Sequence, residues 1–421
     1  MRSDDRSPVE PVARRHARRG VNPFRRPVDY LVTVFILVAS LTVGIVLWAR
    51  SDIHNTVLVL APPGAITPAN PTRFPPSLAE FWSAPSAATP VPVITGPTVV
   101  TANNGAVIGR DPLTGEQRWS YTRDLPLCTV TAAFDKVVAA YHRANCNEVT
   151  ELDPATGAIG AQRNGDAELG AQLVYDGTYV TATGPTLLDT WRSDLVLTVE
   201  YGNIPDFYNP NVQPRLGCSY GSVAAYAGQI GVIERCPDES VDRLTVYKAT
   251  ASEADKPTVV FSVAIGVKGA RIVSMNQQFI AVAMGQPGRL EIFNAGNGSD
   301  LTHYPVALGQ GDLSGDPPGE VEPVTVGVNA IYWYTGSSTV ALSTTNLQPI
   351  WSVPNTLGSG VVFAGRFLVP ISGGIEVLDQ ATGAKIGVIG VDRHGYTGKV
   401  AMGTLGPVVF EQRGATLAAL H

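Results

Sequence analysis

Short apolar runs that end in an Asp and a Pro/Thr/Gly cluster recur along the 421-residue chain. The clearest copy is Val107-Ile108-Gly109-Arg110-Asp111-Pro112-Leu113-Thr114-Gly115-Glu116-Gln117-Arg118-Trp119-Ser120, and Glu151-Leu152-Asp153-Pro154-Ala155-Thr156-Gly157 and Val377-Leu378-Asp379-Gln380-Ala381-Thr382-Gly383 repeat its first half. Asp accepts backbone N–H bonds within a turn, Pro presets φ and Gly tolerates φ > 0, so each unit predicts a strand, a tight turn and a second strand. The second strand carries a Trp in Arg118-Trp119-Ser120-Tyr121 and Ile350-Trp351-Ser352-Val353. Phe81-Trp82-Ser83-Ala84 has the same form but no turn ahead of it.

Weaker copies place strand ends at positions 111, 153, 189, 248, 294, 343 and 379, in steps of 42, 36, 59, 46, 49 and 36. Spacings of about 45 residues fit one four-stranded propeller blade per repeat. Thr416-Leu417-Ala418-Ala419-Leu420-His421 reads as one more such strand, which stops where its turn would begin. The strand around Trp82 is therefore expected to supply that blade's outer edge and close the ring. The predicted fold is all-β, an eight-bladed or alternatively seven-bladed β-propeller over residues 78–421, closed by its N- and C-terminal strands and preceded by one transmembrane helix.

The unit resembles the PQQ-like β-propeller repeat family, whose repeats carry Asp-x-x-Thr-Gly-x-x-x-Trp; Asp111 to Trp119 shows the whole pattern. The family contains quinone-dependent dehydrogenases and non-enzymatic scaffolds, among them the outer-membrane assembly lipoprotein of Gram-negative bacteria. The dehydrogenases keep a vicinal Cys-Cys pair beside the cofactor, and no two Cys here are adjacent. The resemblance thus implies a non-catalytic scaffold or binding module, with a quinone-dependent dehydrogenase or a ligand sensor using the channel as the alternative. No catalytic, cofactor-binding or metal-binding residue is assigned. Asp111, Asp153 and Asp379 sit one per turn and read as turn formers. The loop at residues 309–320 lacks the Asp-x-Asp-x-Asp-Gly order of a calcium loop and reads as solvated. The tryptophans at 82, 119 and 351 are expected to pack blade against blade.

Residues 30–49 carry no charge and are rich in Val, Leu and Ile. At about 1.5 Å per residue that run spans a hydrocarbon core of about 30 Å. Eight arginines against three acids precede it, a balance of +5 over residues 1–26. The tail at residues 1–29 is then cytoplasmic and the rest extracytoplasmic. Residues 50–77 hold Pro62, Pro63, Pro68, Pro71, Pro75 and Pro76 and predict an extended linker that stands the propeller off the membrane. Past residue 26 there are 22 basic and 33 acidic residues, a balance of −11 that disfavours nucleic acid.

Cys128 and Cys146 lie 18 residues apart, as do Cys218 and Cys236, and each pair brackets an apolar, turn, apolar pattern. In an exported chain this predicts two disulfides at the open ends of hairpins; a zinc site would want Cys-x-x-Cys or nearby His. Two insertions, at residues 202–217 and 309–320, each join the outermost strand of one blade to the innermost strand of the next, which puts both on one face. Long loops on a rigid scaffold are where binding concentrates. Phe207 and Tyr208 are the expected contacts for an envelope protein or ligand on that face.

Overall fold

Eight separate antiparallel sheets account for the extended segments, one per repeat. The computed structural model describes residues 26–421 other than 206, 207, 210, 211, 286 and 316. In chain order the blades are residues 93–122, 127–164, 173–202, 219–264, 271–305, 324–354, 361–390 and 400–420, here blades 1 to 8. Each runs from an innermost to an outermost strand, except that blade 8 takes its outermost strand, Glu80–Pro85, from the other end of the chain. Trp82 pairs with Ala419 and Ser83 with Ala418, which is the expected closure. A buried clasp reinforces it. Glu411 accepts from Arg393 at 2.7 and 2.9 Å and from Arg413 at 2.7 Å, and Arg413 reaches Glu80 at 2.6 Å.

The blades are joined by a repeated device. In every sheet the register between the third and outermost strands slips at one position, occupied by Trp119, Ala161, Val199, Phe261, Thr302, Trp351, Gly387 and Trp82 in blades 1 to 8. A bulge re-aims a side chain, and in four of the blades it aims an aromatic ring at the third turn of the next blade. The Trp82, Trp119, Phe261 and Trp351 rings lie over Gly115, Gly157, Gly298 and Gly383, so closely that a Cβ on these glycines would meet the ring. All four have φ between +68° and +77°. Each indole N–H also donates to a turn carbonyl: Trp82 to Pro112 at 3.1 Å, Trp119 to Pro154 at 2.9 Å and Trp351 to Gln380 at 3.2 Å. The turns themselves are held by their first residue, as expected. Asp111, Asp153 and Asp379 accept from two backbone N–H groups each, and Asn294 does the same in blade 5.

One alignment is corrected. Asp189 is not a turn residue; it lies in the middle of strand Leu187–Trp191, and the turn follows at Arg192. Apolar Leu187-Leu188 before an Asp imitates the motif, but the strand continues through Thr190 and Trp191, both favourable in strands.

The expected linker also differs. Val57–Val59 pairs with Gln117–Thr122 as a fifth strand on blade 1, and Ala61 N–H donates to Thr156 O at 2.9 Å. Pro68 occupies the space beside Gly406, Phe74 meets Phe363 with ring centroids 6.3 Å apart, and Leu78 is buried with residues of blades 7 and 8. Val-Leu-Val pairs because the outer edge of a blade offers open backbone groups. The prolines then follow a surface that asks no N–H of them. The propeller unit accordingly begins at Thr56.

The remaining unit contains the helix Pro27–Ala49, the one helix among the described residues long and apolar enough to cross a membrane. It starts three residues before the charge-free run. Pro27 sits in the first turn, and Asp29 accepts the Arg26 N–H at 2.8 Å. Thr33 and Thr42 donate to carbonyls four residues back at 2.8 Å, so neither hydroxyl is left unpaired on the apolar helix surface.

Candidate binding face

In antiparallel blades, the connections from outermost to innermost strand and from second to third strand share one face. Both disulfides form there. Cys128 lies in innermost strand Leu127–Ala133 and bonds Cys146 in the second-to-third connection of blade 2. Cys218 directly precedes innermost strand Ser219–Tyr226 and bonds Cys236 in the same connection of blade 4. Each ties two loop bases to one inner strand.

The two insertions share this face but diverge. Asn209 and Gln213 of the first insertion lie at the outer edge of blade 3, where the long turn of blade 4 climbs: Thr198 O accepts from Ala251 N–H and Ala254 O from Glu200 N–H. Asn209 then binds the Asp255 carboxylate through its backbone N–H at 2.6 Å and its side chain at 2.8 Å. Gln213 is buried and donates to Glu200 O and Asp255 O, both at 3.0 Å. Tyr208 is left 85 % exposed at the rim. Phe207, the other expected contact, lies outside the described residues.

The second insertion runs inward. Asp312 fixes its first half by accepting from Thr335 and Ser337 hydroxyls at 2.7 and 2.9 Å. Its second half crosses the inner rim back to blades 3 and 4: Gly319 N–H donates to Tyr220 O, Glu320 O accepts from Val223 N–H, and Gly319 O accepts from Thr183 Oγ1 at 2.6 Å. Arg271 is buried beneath and pairs with Glu320 at 2.7 Å and Glu322 at 2.9 Å. Residues 311, 314 and 315 are solvated as expected, whereas Gly319 and Glu322 are buried. A loop rich in Gly and Pro makes such a crossing because its backbone can lie flat against other strands; nothing in its composition marks the target.

Below the second disulfide, at the seam between blades 3 and 4, Tyr201 stacks on Tyr247 with centroids 4.4 Å apart and donates to Glu234 at 2.6 Å. Burial pushes the Glu234 carboxyl up, against the bonds it receives from Thr245 and Tyr201 and the charge of Arg215. Asp189 and Glu200 face one another across adjacent strands of blade 3. Burial and the Glu200 charge push Asp189 up to about 8, and burial with the charges of Asp166 and Asp255 pushes Glu200 up to about 7. Sequence reasoning missed this pair; two acids at cross-strand positions are visible only once the register is known. Among the described residues no three His, Cys, Asp or Glu side chains converge as a metal site.

No protein-family model and no curated protein sequence matches the chain. Among solved structures it is similar to Sqt1 of Saccharomyces cerevisiae, with a TM-score of 0.51 and 10 % identity over 82 % of this chain and 98 % of that one. It also aligns with the quinohemoprotein alcohol dehydrogenase of Comamonas testosteroni, with a TM-score of 0.49 and 9 % identity over 88 % of this chain and 77 % of that one. At such identities the likeness to Sqt1 is one of fold, and the fold is the β-propeller.

Proposed function

We propose that the chain is a membrane-anchored, exported propeller that acts as a non-catalytic binding module in a bacterial cell envelope. The carrying observation is the face bearing both disulfides, where two insertions are pinned to a rigid scaffold, one turned outward to leave Tyr208 exposed and one drawn across the inner rim. Fixed loops lose little conformational freedom on binding, which favours a protein or extended ligand laid over them. A strap across the rim also favours surface binding over chemistry deep in the channel. The helix at Pro27–Ala49 is the anchor, with the arginine-rich tail on the cytoplasmic side.

Deleting residues 204–214 would remove Gln213 from its buried bonds, so a single-site probe is the better test. A photo-crosslinking amino acid at position 208 of the full chain in intact cells is expected to yield a discrete protein adduct. The same probe at Ile386, exposed on the outermost strand of blade 7, is expected to yield none. Adducts at 386 but not at 208 would overturn the assignment of the face.

A further inference from the structure

We propose that Cys218–Cys236 is a reducible, regulatory disulfide whose opening releases the 203–217 insertion, while Cys128–Cys146 is purely structural. The two bonds close loops of equal length, 18 residues, so loop entropy does not separate them. Their surroundings do. Arg215 Nη2 lies 3.0 Å from Cys236 Sγ, in position to stabilise a thiolate there. Reduction runs faster when the departing sulfur is a better leaving group.

The acids near Arg215 are matched by further cations, Arg235, Arg243 and Lys268. Glu239 lies 3.0 Å from Arg215 but is shared with Arg243 through both Nε and Nη2. Glu234 lies 2.9 Å away; burial pushes its carboxyl up, while the charges of Arg215 and Arg243 pull it down. Asp242 is engaged by Arg235 at 3.4 Å and by Ala270 N–H. Both cysteines line an open cavity of about 470 Å³ on the loop-bearing face, which also holds Ser219, Lys268 and Gly269. The first disulfide also borders an open cavity, a smaller one of about 270 Å³, whose lining holds His142 but no Arg or Lys.

The step requires a dithiol reductant. Its thiolate attacks Cys218 Sγ, the S–S bond breaks, and the electron pair leaves on Cys236 Sγ beside Arg215. The second thiol of the reductant then displaces Cys218 from the mixed disulfide. The reductant is oxidised to its disulfide, and the protein gains two electrons and takes protons from solvent. Arg215 belongs to the insertion and Cys218 directly follows it, so the same event loosens the base of the loop carrying Tyr208. The inference does not depend on what binds the face, because its readout is chemical.

Full-length protein in detergent micelles is titrated with dithiothreitol, quenched by alkylation, and the four cysteines are quantified by peptide mass spectrometry. Cys218–Cys236 is expected to open first, although Cys128 is the more exposed cysteine. Arg215→Gln is expected to slow its reduction about tenfold, leaving Cys128–Cys146 unchanged, while Arg215→Lys retains most of the rate. Earlier or equal opening of Cys128–Cys146 in the unaltered protein overturns the proposal whether or not the variants fold. So does an Arg215→Gln rate equal to that of the parent.

Discussion

The seam between blades 1 and 2 and the seam between blades 2 and 3 solve one packing problem in opposite ways. At the first, a large side chain meets an empty position: Trp119, fully buried, lies over Gly157. At the second, a small side chain meets a large one: Ala161 faces the turn that carries Leu195, and the two pack in one cluster. The same place in the third turn of blade 6 holds Leu347, buried in the core between blades 5 and 6. Leu195 and Leu347 keep φ at +55° and +58°, the backbone conformation of the glycines they replace. The turn shape is therefore retained while its occupant changes. At these two seams a ring over a glycine and a small side chain beside a leucine fill the same place in the packing, so the volume is shared between the two blades.

The largest expected effect breaks the Trp solution. Trp119→Ala removes the ring and its bond to Pro154 O and is expected to cost about 3–5 kcal/mol in urea unfolding. A loss under about 1 kcal/mol would mean the seam does not depend on it. Gly157→Ala attacks the other partner, with a Cβ 2.8 Å from the ring and φ at +77°. It is expected to cost about 2 kcal/mol, whereas Gly387→Ala, where a Cβ has nothing within 4 Å, is expected to be close to neutral.

The leucine seam differs in a second way, because Asp189 points into it and accepts from Asp166 N–H at 3.1 Å. Asp189 and Glu200 are raised to about 8 and about 7 when folded, against about 3.9 and 4.3 when unfolded. Between those limits the folded chain binds more protons, so stability is highest below the unfolded values and falls as pH rises through the folded ones. Asp189→Asn is expected to flatten that slope and to gain about 1–2 kcal/mol on the parent between pH 5 and pH 8.5. Parallel stability curves across that range would remove the acid pair from the account.

How much of this was legible in the sequence follows from which signals are local. Trp82, Trp119 and Trp351 announced themselves because each stands directly before a Ser in a strand-like run, and the turn motif with Gly115, Gly157 and Gly383 fixed the repeat. Closure through Trp82 was legible because one strand lacked a turn and another lacked a partner. Phe261 with Gly298, and Ala161 with Leu195, share the geometry but not the letters, so they emerge only from the bulge positions. Asp189 misled because the turn motif and a strand interior both tolerate an Asp after two leucines. The prolines of residues 50–77 read as an extended linker, since no short-range pattern tells an extended chain in solvent from one laid along a sheet edge. For the binding face, the connectivity and the cysteine pairs were legible. The outward and inward courses of its two insertions depend on contacts with Asp255 and Thr183 that sequence distance conceals.

The central claim, that the seam of blades 1 and 2 and the seam of blades 2 and 3 each fill one shared volume from opposite sides, is tested most directly by exchanging the solutions at the seam of blades 2 and 3. Ala161→Trp, Leu195→Gly and the double variant form a thermodynamic cycle read by urea unfolding. Each single change is expected to destabilise, and the double variant is expected to recover at least about 1 kcal/mol relative to the sum of the two. Additive losses would contradict the account.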